Sequence, residues 1–244
     1  MLVIKQLHKS YENKPILKGI DFAVAEGEFI CLIGASGSGK TTLFRCLALQ
    51  ERWDRGQYLY KGNDLVKLNP LARWWQRRDW AYIEEKAVMN PNKTALQNIL
   101  ASRTKYIPFW RRLIGKPGVD EHVFAMDYLE KVGLLEQAKR KTGKLSGGEK
   151  QRVAIAKSLV QGAQIVFTDE PVSGLDPRSA ERVMQDLKRM NEQQKVTVLC
   201  IMHQVDLAEK FADRILGMAD GKIVLDVRGR RLTGHEKRSV IGIE

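Results

Sequence analysis

The sequence predicts an α/β protein: a strand core built around one glycine-rich turn, with an antiparallel β edge and an α-helical subdomain inserted between its two halves. Three observations carry this. The apolar run of residues 29–33 breaks into Gly34-Ala35-Ser36-Gly37-Ser38-Gly39 and then enters a helical stretch over 41–47. Two more apolar runs, 164–168 and 196–202, end in side chains suited to chemistry, Asp169-Glu170 and His203. Helical spacing of Leu, Ile, Val and Ala fills 94–104, 119–132 and 149–161, whereas strand patterns lie on either side.

Taken in order, residues 2–7 and 20–24 read as strands, with turns at the Pro15 region and at Glu26-Gly27-Glu28. Tyr11, between them, is either a surface tyrosine or a flat π-face for a purine, and its position alone does not decide. Gly34 to Thr41 then match G-x-x-x-x-G-K-[ST], the phosphate-binding loop. Glycines let backbone N–H groups curl around phosphate oxygens, and the helix N-terminus through Thr42 adds partial positive charge. Lys40 would reach the β- and γ-phosphates and the Thr41 hydroxyl would hold Mg²⁺. The expected ligand is a nucleoside triphosphate.

Residues 56–62 resemble a hairpin strand and 79–83 another strand; 106–115 form an aromatic and basic insertion containing Tyr106, Phe109 and Trp110. Ser146-Gly147-Gly148 opens the third helical stretch and is a second anion-binding terminus. In the strand that follows, Asp169 suits an Mg²⁺-bound water beside Thr41, and Glu170 suits orienting or deprotonating an attacking water. His203 ends a parallel strand at the edge where α/β sheets place ligands. Asp220-Gly221 marks a closing hairpin.

Composition agrees with a soluble globular chain: 244 residues, 43% hydrophobic and 29% charged, with no apolar run near the ~20 residues that span a bilayer. The start lacks a secretory pattern, and Cys31, Cys46 and Cys200 lie in apolar stretches without metal-ligand spacing, so a reducing, cytoplasmic setting is expected. The formal charge of +12 gathers at Arg73/Arg77/Arg78, Lys105/Arg111/Arg112/Lys116, Lys139/Arg140/Lys141/Lys144 and Arg228/Arg230/Arg231. These clusters lack interleaved aromatics and any nucleic-acid motif, which favours an anionic membrane surface over nucleic acid.

Together and in this order, these stretches resemble the ATP-binding subunits of ABC transporters, from Leu2 to about Val227. The resemblance implies a RecA-like P-loop NTPase core in a single domain over 1–244, with 1–85 and 160–244 as the α/β core and 86–159 as the helical subdomain. Leu145 to Glu149 is similar to the LSGGQ signature, with Glu149 in the last place, so Ser146, Gly147, Gly148 and Glu149 would touch nucleotide. Ser173-Gly174-Leu175-Asp176 resembles the D-loop, Tyr11 the aromatic that stacks on adenine, and His203 the switch histidine at the γ-phosphate. The family implies ATP and Mg²⁺, and a head-to-tail dimer that sandwiches each ATP between one P-loop and the other signature. Aligned on Pro91 and Asn98, Glu85 takes the place of the Q-loop glutamine that touches Mg²⁺ and meets the permease.

The implied partners are a second identical or paired ABC subunit, an integral membrane permease, a substrate-binding protein and the membrane surface, with the chain peripheral on the cytoplasmic face and no nucleic acid bound. Within the family, residues 106–115 and the run 202–208 are most similar to importers of phosphonates and related phosphorus oxyanions, and the early C-terminus is compatible with that. Exporters and lipoprotein-release systems share the same motifs. Non-transport members usually carry two cassettes or a long coiled coil, neither of which is visible here, and Glu85 at the Q-loop position leaves open a member that hydrolyses ATP weakly.

Overall fold

The computed structural model describes residues 1–102 and 119–241. Strands β1 (Leu2–Tyr11) and β2 (Lys14–Val24) pair antiparallel around a two-residue turn at Glu12-Asn13. Both turn residues have positive φ (48° and 65°), the backbone a tight hairpin demands. The turn therefore precedes Pro15, contrary to the sequence expectation. Pro15 sits opposite Ser10 within β2, and because β2 is the edge of its sheet the missing N–H is tolerated. With β4 (Arg55–Tyr60) and the short β5 (Asn63–Asp64), these strands form a four-stranded sheet in the order β2-β1-β4-β5.

The second sheet holds the apolar runs. It comprises β3 (Phe29–Ile33), β6 (Trp80–Ile83), β7 (Ile165–Asp169), β8 (Thr197–Ile201), β9 (Arg214–Ala219) and β10 (Lys222–Arg228). Their order is β10-β9-β3-β8-β7-β6, parallel except for the β9–β10 hairpin. Every residue of β3 is buried. Ile30 and Leu32 face the four-stranded sheet and helix α1 (Lys40–Leu47), while Phe29, Cys31 and Ile33 face the helical layer. Cover on both faces is why these strands read as unbroken apolar runs rather than alternating ones.

Six of the other helices are α2 (Pro70–Gln76), α3 (Ala95–Ser102), α4 (Val119–Lys131), α5 (Gly147–Val160), α6 (Pro177–Gln194) and α7 (Val205–Phe211); α8 (Gly234–Ile241) ends the described chain. Buried residues of α3, α4 and α5 join those of α6 and the sheet in one apolar cluster, so the helical region shares a core with the strands. Helix α6 starts with a clear signal: the Asp176 carboxylate accepts from the Arg178 and Ser179 N–H groups, and Pro177 follows at the first helical position. Ala180, Val183, Met184, Leu187 and Met190 then form its buried stripe. Cys31, Cys46 and Cys200 are buried free thiols.

Asp186 is a buried charge on α6. Burial pushes its carboxyl up to about 6 in spite of Arg189, Arg152 and Arg182 nearby. A raised acid pKa means the folded chain keeps a proton that the unfolded chain releases above about pH 4. The stability linked to this group is therefore full below that value and lost as pH rises through about 6. Asp186→Asn should raise the melting temperature near pH 8, by the equivalent of roughly 1–3 kcal/mol, with the gain shrinking toward zero near pH 4. Thermal denaturation at both values checks it, and a gain that is equal at the two would contradict it.

Candidate functional site

The turn after β3 is shaped by close approach. A Cβ on Gly34 would lie 2.3 Å from the Met218 carbonyl oxygen of β9, so no larger residue fits. Gly37 has open space around it, but its φ of +80° is the left-handed backbone that glycine supplies freely. Gly39 (φ +101°) caps α1. Lys40, the first residue of α1, is 5% exposed, and its ammonium donates to the carbonyls of Gly34 (2.9 Å) and Ala35 (2.8 Å) and to Ser38 Oγ (3.4 Å). Burial lowers its pKa, and Glu170 and Asp169 push it back up.

The ends of β7 and β8 reach the same place. Asp169 is half-buried, and burial raises its carboxyl, opposed by hydrogen bonds from Tyr82 (3.1 Å) and Thr41. Glu170 has left the strand with φ 49°, a strained conformation for a non-glycine residue, and its N–H donates to the Ile201 carbonyl at 3.1 Å. Its Oε1 lies 2.7 Å from His203 Nε2. An open cleft of about 310 Å³ is lined by Tyr11, Ile16, Ser36, Gly37, Gly39, Lys40, Thr41, Thr42, Glu170 and His203. Tyr11 is partly exposed at the end of β1, with Lys9 Nζ 5.0 Å from its ring centre. Residues far apart in the chain, from Tyr11 to His203, thus face one space.

The other predicted site residues lie elsewhere. Ser146 caps α5 by a capping box: Ser146 Oγ accepts from the Glu149 N–H (3.2 Å), and Glu149 Oε2 accepts from the Ser146 N–H (2.7 Å). Gly147 and Gly148 lie close against Leu175 and Ser179, so a side chain at either position would have to displace those neighbours. Ser146, Gly147, Gly148, Glu149 and Asp176 do not line the cleft, and the Asp176 carboxylate is occupied capping α6. Glu85 is exposed and also off the cleft; its carbonyl accepts from Gln151 Nε2 at 2.7 Å. Tyr82 and Gln151 were not legible as site residues, because nothing local marks a contact with partners 87 and 66 positions away.

Residues 106–115 and the cluster Lys105/Arg111/Arg112/Lys116 lie outside the described residues. Of the other basic groups, Lys139, Arg140, Lys141 and Lys144 are exposed, whereas Arg228 and Arg230 are paired with Glu28 and Glu236. Among the described residues, no helix is long and apolar enough to cross a membrane.

A buried parallel sheet whose C-terminal edge carries a phosphate-binding loop, two carboxylates and a histidine defines a P-loop nucleotide-binding domain. The ABC transporter family matches residues 17–173. The hypophosphite import ATP-binding protein HtxD of Stutzerimonas stutzeri is 41% identical over 92% of this chain, which spans 66% of that relative's length. The phosphonates import ATP-binding protein PhnC of Staphylococcus aureus is 34% identical over 91% of this chain and 87% of its own. A dimeric ATP-binding cassette solved in a post-hydrolysis state with ADP and phosphate superposes with a TM-score of 0.82 at 28% identity, covering 95% of this chain and all of that one. The chain belongs to the ABC transporter family, as an ATP-binding ATPase subunit.

The capping box makes a stability prediction. Ser146→Ala should lose about 1 kcal/mol and lower the melting temperature by about 2–4 °C. Glu149→Gln, whose amide oxygen can still accept the Ser146 N–H, should lose less. Thermal denaturation of both variants checks the order; an unaffected Ser146→Ala would remove the cap from the account.

Proposed function

We propose that the chain hydrolyses ATP in a head-to-tail dimer mounted on a separate membrane permease, and so powers import of a small phosphorus oxyanion. The single observation behind this is the division of the site. Tyr11, the P-loop, Glu170 and His203 share one cleft, while the signature residues of α5 lie off it and so serve a second copy's nucleotide.

In this reading Tyr11 stacks on the adenine, and backbone N–H groups from Ser36 to Thr42 cradle the phosphates. Lys40 turns from its loop carbonyls to the β- and γ-phosphate oxygens. Glu170, already hydrogen-bonded to a histidine, takes the proton from the attacking water, and His203 contacts the γ-phosphate. Ser146, Gly147, Gly148 and Glu149 at the start of α5, with the loop ending at Asp176, close over the partner's ATP.

The Thr41 hydroxyl on the cleft wall and the Asp169 carboxylate at the end of β7 are hard oxygen donors and fit Mg²⁺. These two residues would hold the ion, which when bound neutralises phosphate charge. Glu85 would join them only if its segment moved toward the cleft.

The cargo class is supported by the relatives named for hypophosphite and phosphonate import, both phosphorus oxyanions. A substrate-binding protein would deliver it, and the exposed Lys139, Arg140, Lys141 and Lys144 suit an anionic cytoplasmic membrane face. Removing the water-activating carboxylate tests the mechanism. Glu170→Gln should lower turnover by about 10²–10⁴-fold while ATP stays bound and a dimer accumulates in size-exclusion chromatography with Mg-ATP. Wild-type turnover in that variant would sink the assignment. Pull-down of the tagged chain from membranes should bring a permease, and a partner that exports its cargo would overturn the import reading.

A further inference from the structure

Segment 84–88 leaves β6 and is fastened to α5 by side chains rather than by backbone pairing. Gln151 Nε2 donates to the carbonyls of Glu84 (3.1 Å) and Glu85 (2.7 Å), and Lys157 Nζ donates to the carbonyl of Val88 (3.3 Å). Gln151 is 3% exposed, so one buried amide holds two consecutive carbonyls. Its other end is a loose thread: Gln151 Oε1 is buried and finds no hydrogen-bond partner among the described residues.

A second orphan lies on β7. Thr168 on β7 is fully buried, and its hydroxyl has no partner among the described residues. The register of β6 and β7 sets Thr168 opposite Ile83, the residue immediately before Glu84, and Asp169 follows Thr168 directly. Buried polar groups without partners are rare in native folds. Here a free acceptor belongs to the signature helix and a free donor to the strand that carries Asp169, each linked to the end of β6. Their chemistry is complementary: the threonine hydroxyl can donate and the amide oxygen can accept.

We propose that Gln151 is a positioning residue for ATP hydrolysis. Its amide nitrogen clamps segment 84–88 to α5, and its amide oxygen takes the Thr168 hydroxyl when α5 shifts toward β7. The position of the signature helix is thereby passed to Asp169 and Glu170. The inference rests on the reading above that these carboxylates serve hydrolysis. Glutamine is the side chain this needs, since leucine would strand both carbonyls and a carboxylate would face them with like charge.

The test uses the full chain with Gln151→Met, which keeps side-chain length but neither donates nor accepts, and Gln151→Glu. Without nucleotide, amide hydrogen exchange over 84–88 should rise about tenfold in Gln151→Met, with residues 34–42 unaltered. With Mg-ATP, kcat should fall about tenfold while KM for ATP stays within about twofold, because the nucleotide cleft is untouched. Gln151→Glu should approach wild type as pH falls from about 9 to about 6, because the neutral acid regains a donor, and Gln151→Met should not. Thr168→Val should lower kcat in the wild-type background and add little to Gln151→Met.

Unaltered exchange over 84–88 in Gln151→Met would overturn the clamp; should that variant not fold, unaltered exchange in Gln151→Glu at about pH 9 would do so. Additive effects of Thr168→Val would overturn the relay, and Gln151→Glu tracking Gln151→Met at every pH would overturn the donor role of the clamp. The exchange measurement needs no turnover. A loosened segment in a chain that hydrolyses no ATP would therefore overturn the functional reading, and the positioning role with it, by a route distinct from failure of the clamp.

Discussion

A buried lysine ammonium is the constraint on which the site depends. Lys40 opens α1 almost wholly out of water, and a charge so placed must be met by acceptors. The turn before it provides them by folding back, so that the carbonyls of Gly34 and Ala35 point at Nζ. That path brings Gly34 against β9, where only a glycine fits beneath the Met218 carbonyl. The Ala35 N–H in turn donates to the Val240 carbonyl of α8 at 3.1 Å. A late strand and the last described helix therefore brace the loop. Asp169 and Glu170, brought up by β7, offset part of the burial penalty on the ammonium. The pieces of the cleft are electrostatically tied, not merely adjacent.

The second helix N-terminus is held in a different way. At α5 the helix's own Ser146 and Glu149 satisfy its first N–H groups, and Gly147 and Gly148 fit against Leu175 and Ser179 without side chains between. The start of α5 and the loop that ends at Asp176 consequently form one unit, with Asp176 fixing α6 from the other side. The last position of the signature takes Glu149 without loss of the cap, because a carboxylate accepts an N–H as well as an amide oxygen does. The two glycine-led helix N-termini of one chain thus do not face the same cleft, which is the geometry the proposed two-copy sandwich requires.

What could be read from the sequence was what local chemistry dictates. The strand–turn–helix at Gly34 to Thr41, the apolar strands ending at Asp169-Glu170 and His203, and the helix opening at Ser146 follow from burial on two faces and from glycine-rich turns, and each is visible over a few residues; the capping box at Ser146 is not among the sequence expectations. The hairpin turn was misplaced because Pro15 is a strong turn signal, and only an edge strand excuses it from that role. Helix α6 is absent from the sequence expectations although Asp176-Pro177 marks its start. Contacts across the fold, from Tyr82 to Asp169 and from Gln151 to the carbonyls of Glu84 and Glu85, leave no local pattern. Glu85 lies off the cleft for the same reason: alignment by motif says which loop it occupies, not where the loop's side chains stand.

In the proposed mechanism Lys40 is held by the loop and released to phosphate, and nucleotide affinity reads this most directly. Calorimetric titration with Mg-ATP of the wild-type chain against Lys40→Met, with folding checked by circular dichroism, isolates the ammonium. The expected result is a folded variant whose affinity is about 10- to 100-fold weaker, the worth of charge-assisted bonds to phosphate. A folded variant that binds as tightly as the wild type would contradict it.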